Sequence, residues 1–166
     1  MLEGIPPGAA GASDFEEIVG EALKLCFFRS LVNIEMRVRN HDGRIIRDWV
    51  AANRATSGFW EYVRTRYDAV QVIWECKNYE ELHADDFHQV AYYMNDVGGR
   101  FVVLVFRGEM KASYYQHMQR IVTNTRGFIL PLNVKDLLVF LRQAGNGKIK
   151  EDHIQDRYDN VIRKLS

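Results

Sequence analysis

Hydrophobic positions along the chain switch between a helical and a strand period. Phe15, Ile18, Val19, Ala22, Leu23, Cys26 and Phe27 recur at helical spacing and predict a first helix with one buried stripe. Ser13-Asp14-Phe15-Glu16 fits a capping box that would start it. Residues 31–38 alternate loosely as a strand, and Asn40-His41-Asp42-Gly43 marks a hairpin turn. The returning strand is expected at 44–52, followed by a loop over 51–58. Trp60, Val63 and Tyr67 then suggest a short helix or irregular segment at 59–67. Residues 70–76 read as a central strand rich in Val, Ile and Trp. A helix is predicted over 85–97, stopped by Gly98-Gly99.

The second half continues the alternation. Phe101-Val102-Val103-Leu104-Val105-Phe106 is unbroken, the mark of a strand covered on both faces. An amphipathic helix at 111–124, a short strand at 128–132 and a helix at 134–144 opened by Asn133 follow. A weaker helix at 151–165 is polar except for Ile154, Tyr158, Val161, Ile162 and Leu165. This order predicts an α/β sandwich with a mixed sheet, antiparallel at the hairpin and parallel where helices cross over. Residues 1–12, mostly Gly, Pro and Ala, are expected to form a disordered leader. Residues 13–145 would be the domain, and 146–166 a C-terminal helix leading to a further domain of a longer protein.

Composition narrows the classes. At 166 residues, 47% hydrophobic and 27% charged, the chain suits one globular domain. Its net charge is zero, so it carries no global basic signal for nucleic acid. Locally, between residues 31 and 70, the arginines at 37, 39, 44, 47, 54, 64 and 66 outnumber Glu35, Asp42, Asp48, Glu61 and Asp68. Cys26 and Cys76 lie in apolar surroundings and read as reduced core thiols. No apolar run approaches the ~18 residues of a membrane span, and no signal peptide is recognisable, so a cytoplasmic protein without membrane contact is expected. The five histidines lack metal-ligand spacing, and no phosphate-binding GxxxxGK[ST] loop or nucleophile elbow occurs.

The chemistry-bearing residues sit on the two central strands. Glu75 and Lys77 share one face of their strand, while Trp74 and Cys76 point to the other. Asp48 supplies a second carboxylate from the neighbouring strand. Such groups are costly to bury unless something pairs them. A divalent cation shared by Asp48 and Glu75, with Lys77 facing the substrate, would pair all three.

Asp48 followed by Glu75-Cys76-Lys77 resembles the PD-(D/E)xK nuclease superfamily, with Arg47 standing where the family name has proline. Gln89-x-x-x-Tyr93 in the next predicted helix resembles the motif of its RecB-like branch. The likeness covers about residues 13–143. It implies a restriction-endonuclease-like three-layer sandwich, a central mixed β-sheet flanked by helices, acting as a metal-dependent DNA nuclease. Mg²⁺, with Mn²⁺ substituting, would be held by Asp48, Glu75 and the backbone carbonyl of Cys76. Lys77 would orient the attacking water or stabilise the anionic transition state, and the sequence leaves both roles open. Gln89 and Tyr93 would position the nucleophile or a phosphate.

Glu16 matches a glutamate that related nucleases carry on the first helix to help hold metal. An acid near a helix start is equally favoured by the helix dipole. Arg47 and Asn53 flank Asp48 and are candidates for phosphate contact, against a plain solvated-surface reading. By resemblance, such nucleases serve as effectors in restriction or anti-phage defence, often fused to sensor or ATPase modules. A double-strand cut would call for a homodimer or higher oligomer. Neutral charge and the missing basic stripe motivate an alternative: a nuclease-fold module that binds nucleic acid or protein without cutting.

Overall fold

A computed structural model describes residues 4–148 and 150–166. The chain runs α1 (Ala12–Phe27), β1 (Leu31–Arg39), β2 (Ile46–Asn53), α2 (Gly58–Tyr67), β3 (Gln71–Lys77), α3 (Ala84–Tyr92), β4 (Phe101–Phe106), α4 (Ala112–Thr125), β5 (Phe128–Asn133), α5 (Val134–Gly145) and α6 (Asp152–Leu165). The five strands form one sheet in the order β1-β2-β3-β4-β5. β1, β2 and β3 are antiparallel neighbours, and β3, β4 and β5 are parallel. The mixed sheet expected from the hairpin and the crossover helices is therefore present.

Strand alternation assigns two different faces. Trp74 and Phe101 point to one side, where Phe27 of α1, Trp60 of α2 and Phe140 of α5 form an edge-to-face aromatic core. Trp49 joins this side and donates from Nε1 to the Glu16 carbonyl at 2.8 Å, which fixes α1 against β2. Gly20 is required there, because a Cβ would lie 2.0 Å from the Trp49 ring. Phe106 points to the other side and packs on Tyr114 of α4, which also meets Phe87 of α3. Helices thus cover both faces, and β4 and β5 are buried along their whole length.

The hairpin is wider than a two-residue turn. Asn40 and Ile45 close it through backbone and side-chain bonds, and Gly43 takes φ +72° inside it. β1 carries an extra residue between the pairs Val32–Ala52 and Glu35–Val50, and Asn33 and Arg37 adopt left-handed φ of 49° and 53°. Such bulges bend a strand and interrupt its ladder.

Several expectations are corrected. Ser13 does not cap α1. The helix begins at Ala12 after Gly11 with no side-chain cap, and the Ser13 hydroxyl accepts from Arg37 instead. Of the residues expected as a leader, 1–3 lie outside the described residues and the rest make contacts with the domain. Ile5 is buried, its carbonyl accepts from Arg107, and Asn78 Nδ2 donates to the carbonyls of Pro6 and Gly8 at 2.9 and 2.7 Å. α3 stops at Tyr92 rather than 97, because the Asn95 side chain accepts from the amides of Val97 and Gly98 and folds a turn. α6, expected as a weaker helix, packs on the sheet: Ile154, Tyr158 and Val161 are buried, and the Tyr158 hydroxyl bonds that of Tyr67 at 2.6 Å. Among the described residues, no helix is long and apolar enough to cross a membrane.

Candidate functional site

Pairing between β2 and β3 ends at Trp49–Trp74. One step beyond it, Asp48 and Glu75 face each other on the α3 side of the sheet, as the strand period requires. Asp48 replaces the missing ladder bond with its side chain: Oδ2 accepts from the Cys76 amide at 2.8 Å. Glu75 is 2% exposed. Its Oε1 lies 2.9 Å from Lys77 Nζ, while Oε2 is buried and has no hydrogen-bond partner.

A buried carboxylate and a half-buried one facing each other cannot both ionise cheaply. Burial, then the Glu75 charge, pushes Asp48 up to about 7, against the lowering bond from Cys76. Burial likewise raises Glu75, although Lys77 opposes it. Burial alone would lower Lys77, but the charge and hydrogen bond of Glu75, with the charges of Asp86 and Asp48, outweigh it and raise the ammonium. The lysine is therefore held as a cation between acids.

α3 completes the site. Lys77 Nζ donates to Gln89 Oε1 at 2.7 Å, and Gln89 Nε2 donates to the Tyr93 hydroxyl at 2.7 Å. Tyr93, just past the end of the helix, donates in turn to the Ile46 carbonyl at 3.1 Å. The same hydroxyl lies close enough to Glu75 to lower that acid, without a hydrogen bond of full geometry to Oε2. Burial, then the charge of Glu75, raises the Tyr93 phenol well above its ordinary value and keeps it neutral.

Asp86 is a member of this network that pattern reading does not reveal. It is buried, 3.6 Å from Lys77 Nζ, and its other oxygen accepts from the His83 amide as half of a capping box. The Tyr79 hydroxyl donates to it as well. An acid at the third position of a helix is usually a cap, and its separation of nine residues from Lys77 carries no period of its own. The structural role and the contact with lysine coincide here.

The remaining candidates divide. Glu16 is near enough to raise Asp48 and Glu75 through its charge, but its carboxylate is engaged by Arg37 at 3.2 Å. Arg37 stands between the pairs Met36–Trp49 and Val38–Arg47, opposite Asp48. Arg47 points to the Trp49 side, away from the acids, with Nε buried and unbonded. Asn53 is not a surface contact. It is 1% exposed at the opposite end of β2, donating to the Trp60 carbonyl and accepting from the Ala55 amide. Cys26 and Cys76 are free buried thiols, and burial raises both.

A divalent cation fits this donor set in one respect. The bare Glu75 Oε2 beside Asp48 is a buried oxygen that wants a positive partner. Among the described residues, no three His, Cys, Asp or Glu side chains form a group able to hold a metal, so the pair would have to rely on backbone and water for the rest. Mg²⁺ is bound in that way, through one or two carboxylates with retained waters.

No family model matches the chain, and no solved structure matches it. It is 32% identical over 108 residues to a protein of Escherichia coli (strain K12) named "Putative transposon gamma-delta 80.3 kDa protein". The match takes in 65% of this chain and 15% of that much longer protein.

Proposed function

We propose that the chain is a metal-dependent DNA nuclease on a restriction-endonuclease-like sandwich. The observation that carries this reading is the unshared Glu75 Oε2 beside Asp48, with Lys77 held across from them by Gln89. Asp48, Glu75 and the Cys76 carbonyl would hold Mg²⁺, which when bound supplies an acidified water and a polarised phosphate. Mn²⁺ would substitute.

The chain's own groups do the rest. Lys77, kept charged by its acidic neighbours, brings an ammonium to the developing negative charge of the phosphate. Gln89 fixes that ammonium, and Tyr93 fixes Gln89, so the donor is positioned before substrate arrives. The relative named for a transposon suits a DNA substrate. An effector role in restriction or anti-phage defence, action as a homodimer or higher oligomer, and fusion to a sensor or ATPase domain belong to the same proposal.

Supercoiled plasmid incubated with Mg²⁺ or Mn²⁺ tests it. Nicking by the parent and its loss in Asp48→Asn and Lys77→Ala are expected. No nicking under any divalent cation, or equal nicking by Lys77→Ala, ends the proposal.

One set of contacts favours a second reading, a nuclease-fold module that binds without cutting. Lys77 is already engaged by Glu75, Asp86 and Gln89, and Glu16 by Arg37. DNA binding that persists in EDTA and is unchanged in Asp48→Asn, with no cutting, would select it.

A further inference from the structure

A groove of about 360 Å³ lies between the hairpin and α3, walled by Arg44 and Ile46 on one side and His88, Gln89, Tyr92 and Tyr93 on the other. Gln89 and Tyr93 also belong to the lysine network, so the groove and that network share two side chains. Tyr92 is 76% exposed and Tyr93 only 5%, so of the two tyrosines lining the groove Tyr92 is the one that protrudes. Ile46, opposite, is 40% exposed. Arg44 extends at the rim with its side chain 86% exposed and its nearest acid, Asp42, at 4.0 Å.

These surfaces match an unpaired nucleotide. A stacked, paired base hides its faces, whereas an unpaired one offers a π-face to a protruding aromatic ring. The volume is near the lower end for small-molecule sites and has no room for a duplex. With zero net charge, the chain lacks the broad basic surface that would hold a duplex by phosphates alone.

We propose that this groove seats one unpaired nucleotide of single-stranded DNA, its base on the Tyr92 ring and a phosphate at Arg44, against the outer side of the Gln89–Tyr93 wall. The inference rests on the nuclease reading, because the groove gains its role from sharing Gln89 and Tyr93 with that site.

Fluorescence anisotropy with labelled oligo-dT of about twenty nucleotides, longer than a site of ~4–16, tests it against a duplex of equal length. The measurement uses Asp48→Asn protein, in which the Asn oxygen still accepts the Cys76 amide and cutting is absent. Tighter binding of the single strand is expected. Adding Tyr92→Ala should weaken it about tenfold, and Tyr92→Phe should retain it. Adding Arg44→Ala should reduce the logarithmic salt slope by ~0.7, the contribution of one single-strand phosphate. The proposal is overturned by equal or tighter duplex binding, by tighter binding of the matching RNA, by unchanged affinity in Tyr92→Ala, or by no binding. Plasmid nicking with no Tyr92 dependence removes the groove's role and leaves the nuclease. Tyr92-dependent binding without nicking under any cation does the reverse.

Discussion

Lys77 donates to Gln89 Oε1 at 2.7 Å, which ties the end of β3 to α3 through a single ammonium. The same nitrogen is 2.9 Å from Glu75 and 3.6 Å from Asp86. It is the hub of the site and a structural cation at once.

Lys77→Ala should accordingly lose more than activity. Nicking should fall by about two to three orders of magnitude. Urea unfolding near neutral pH should show a loss of about 1–3 kcal/mol, since Glu75 and Asp86 are left without their cation. An unchanged urea midpoint would mean that these carboxylates find other partners.

Asp48 predicts a pH signature. Its native pKa of about 7 lies above the ordinary 3.8, so the folded state holds this proton more tightly than the unfolded one. That stabilisation is complete below the unfolded value and is lost as pH rises through the native one. Without added metal, Tm should decline between about pH 4 and pH 8 more steeply in the parent than in Asp48→Asn. Mg²⁺ should raise the parent's Tm at about pH 8 and do little at pH 5, where the proton competes with it. A Tm indifferent to Mg²⁺ at both values would remove the metal from the pair.

If the chain cuts DNA as proposed, Asp86 would position Lys77, and the pH profile of nicking separates that role from capping. Asp86→Asn keeps a cap for α3 but removes a negative charge beside Lys77. The alkaline limb of the nicking profile should shift to lower pH, with stability changing by about 1 kcal/mol. A rate drop without a shifted limb would assign Asp86 to the helix alone.

Gly11 tests the seat of the leader. A Cβ there would lie 2.1 Å from the Pro6 carbonyl and 3.1 Å from Asn78 Nδ2. Gly11→Ala should unseat residues 5–10 and speed their hydrogen exchange towards that of an open chain, with the sheet protected as before. Unchanged protection would show that the segment is anchored elsewhere.

The site was legible where chemistry followed a short period. Alternation put Glu75 and Lys77 on one face, the pairing of β2 with β3 set Asp48 beside them, and four-residue spacing joined Gln89 to Tyr93. The same alternation separates Asn53 from Asp48, since five positions along a strand reverse the face. Flanking a catalytic candidate was the weaker signal. What could not be read came from contacts distant in sequence. Ile5 is held by Arg107 and Ser13 by Arg37, so neither the leader's order nor the lost cap could be seen in local composition. α6 looked marginal because its few apolar residues are sufficient only when β5 and Tyr67 receive them.

The left-handed residues Asn33 and Arg37 have an effect beyond the chain itself. They break the outer margin of the sheet into short runs of amide and carbonyl groups, a poorer template for strand addition along β1 than a regular edge. The sheet's other margin, β5, carries no such interruption in its pairing with β4, so the two edges of the sheet are not equivalent.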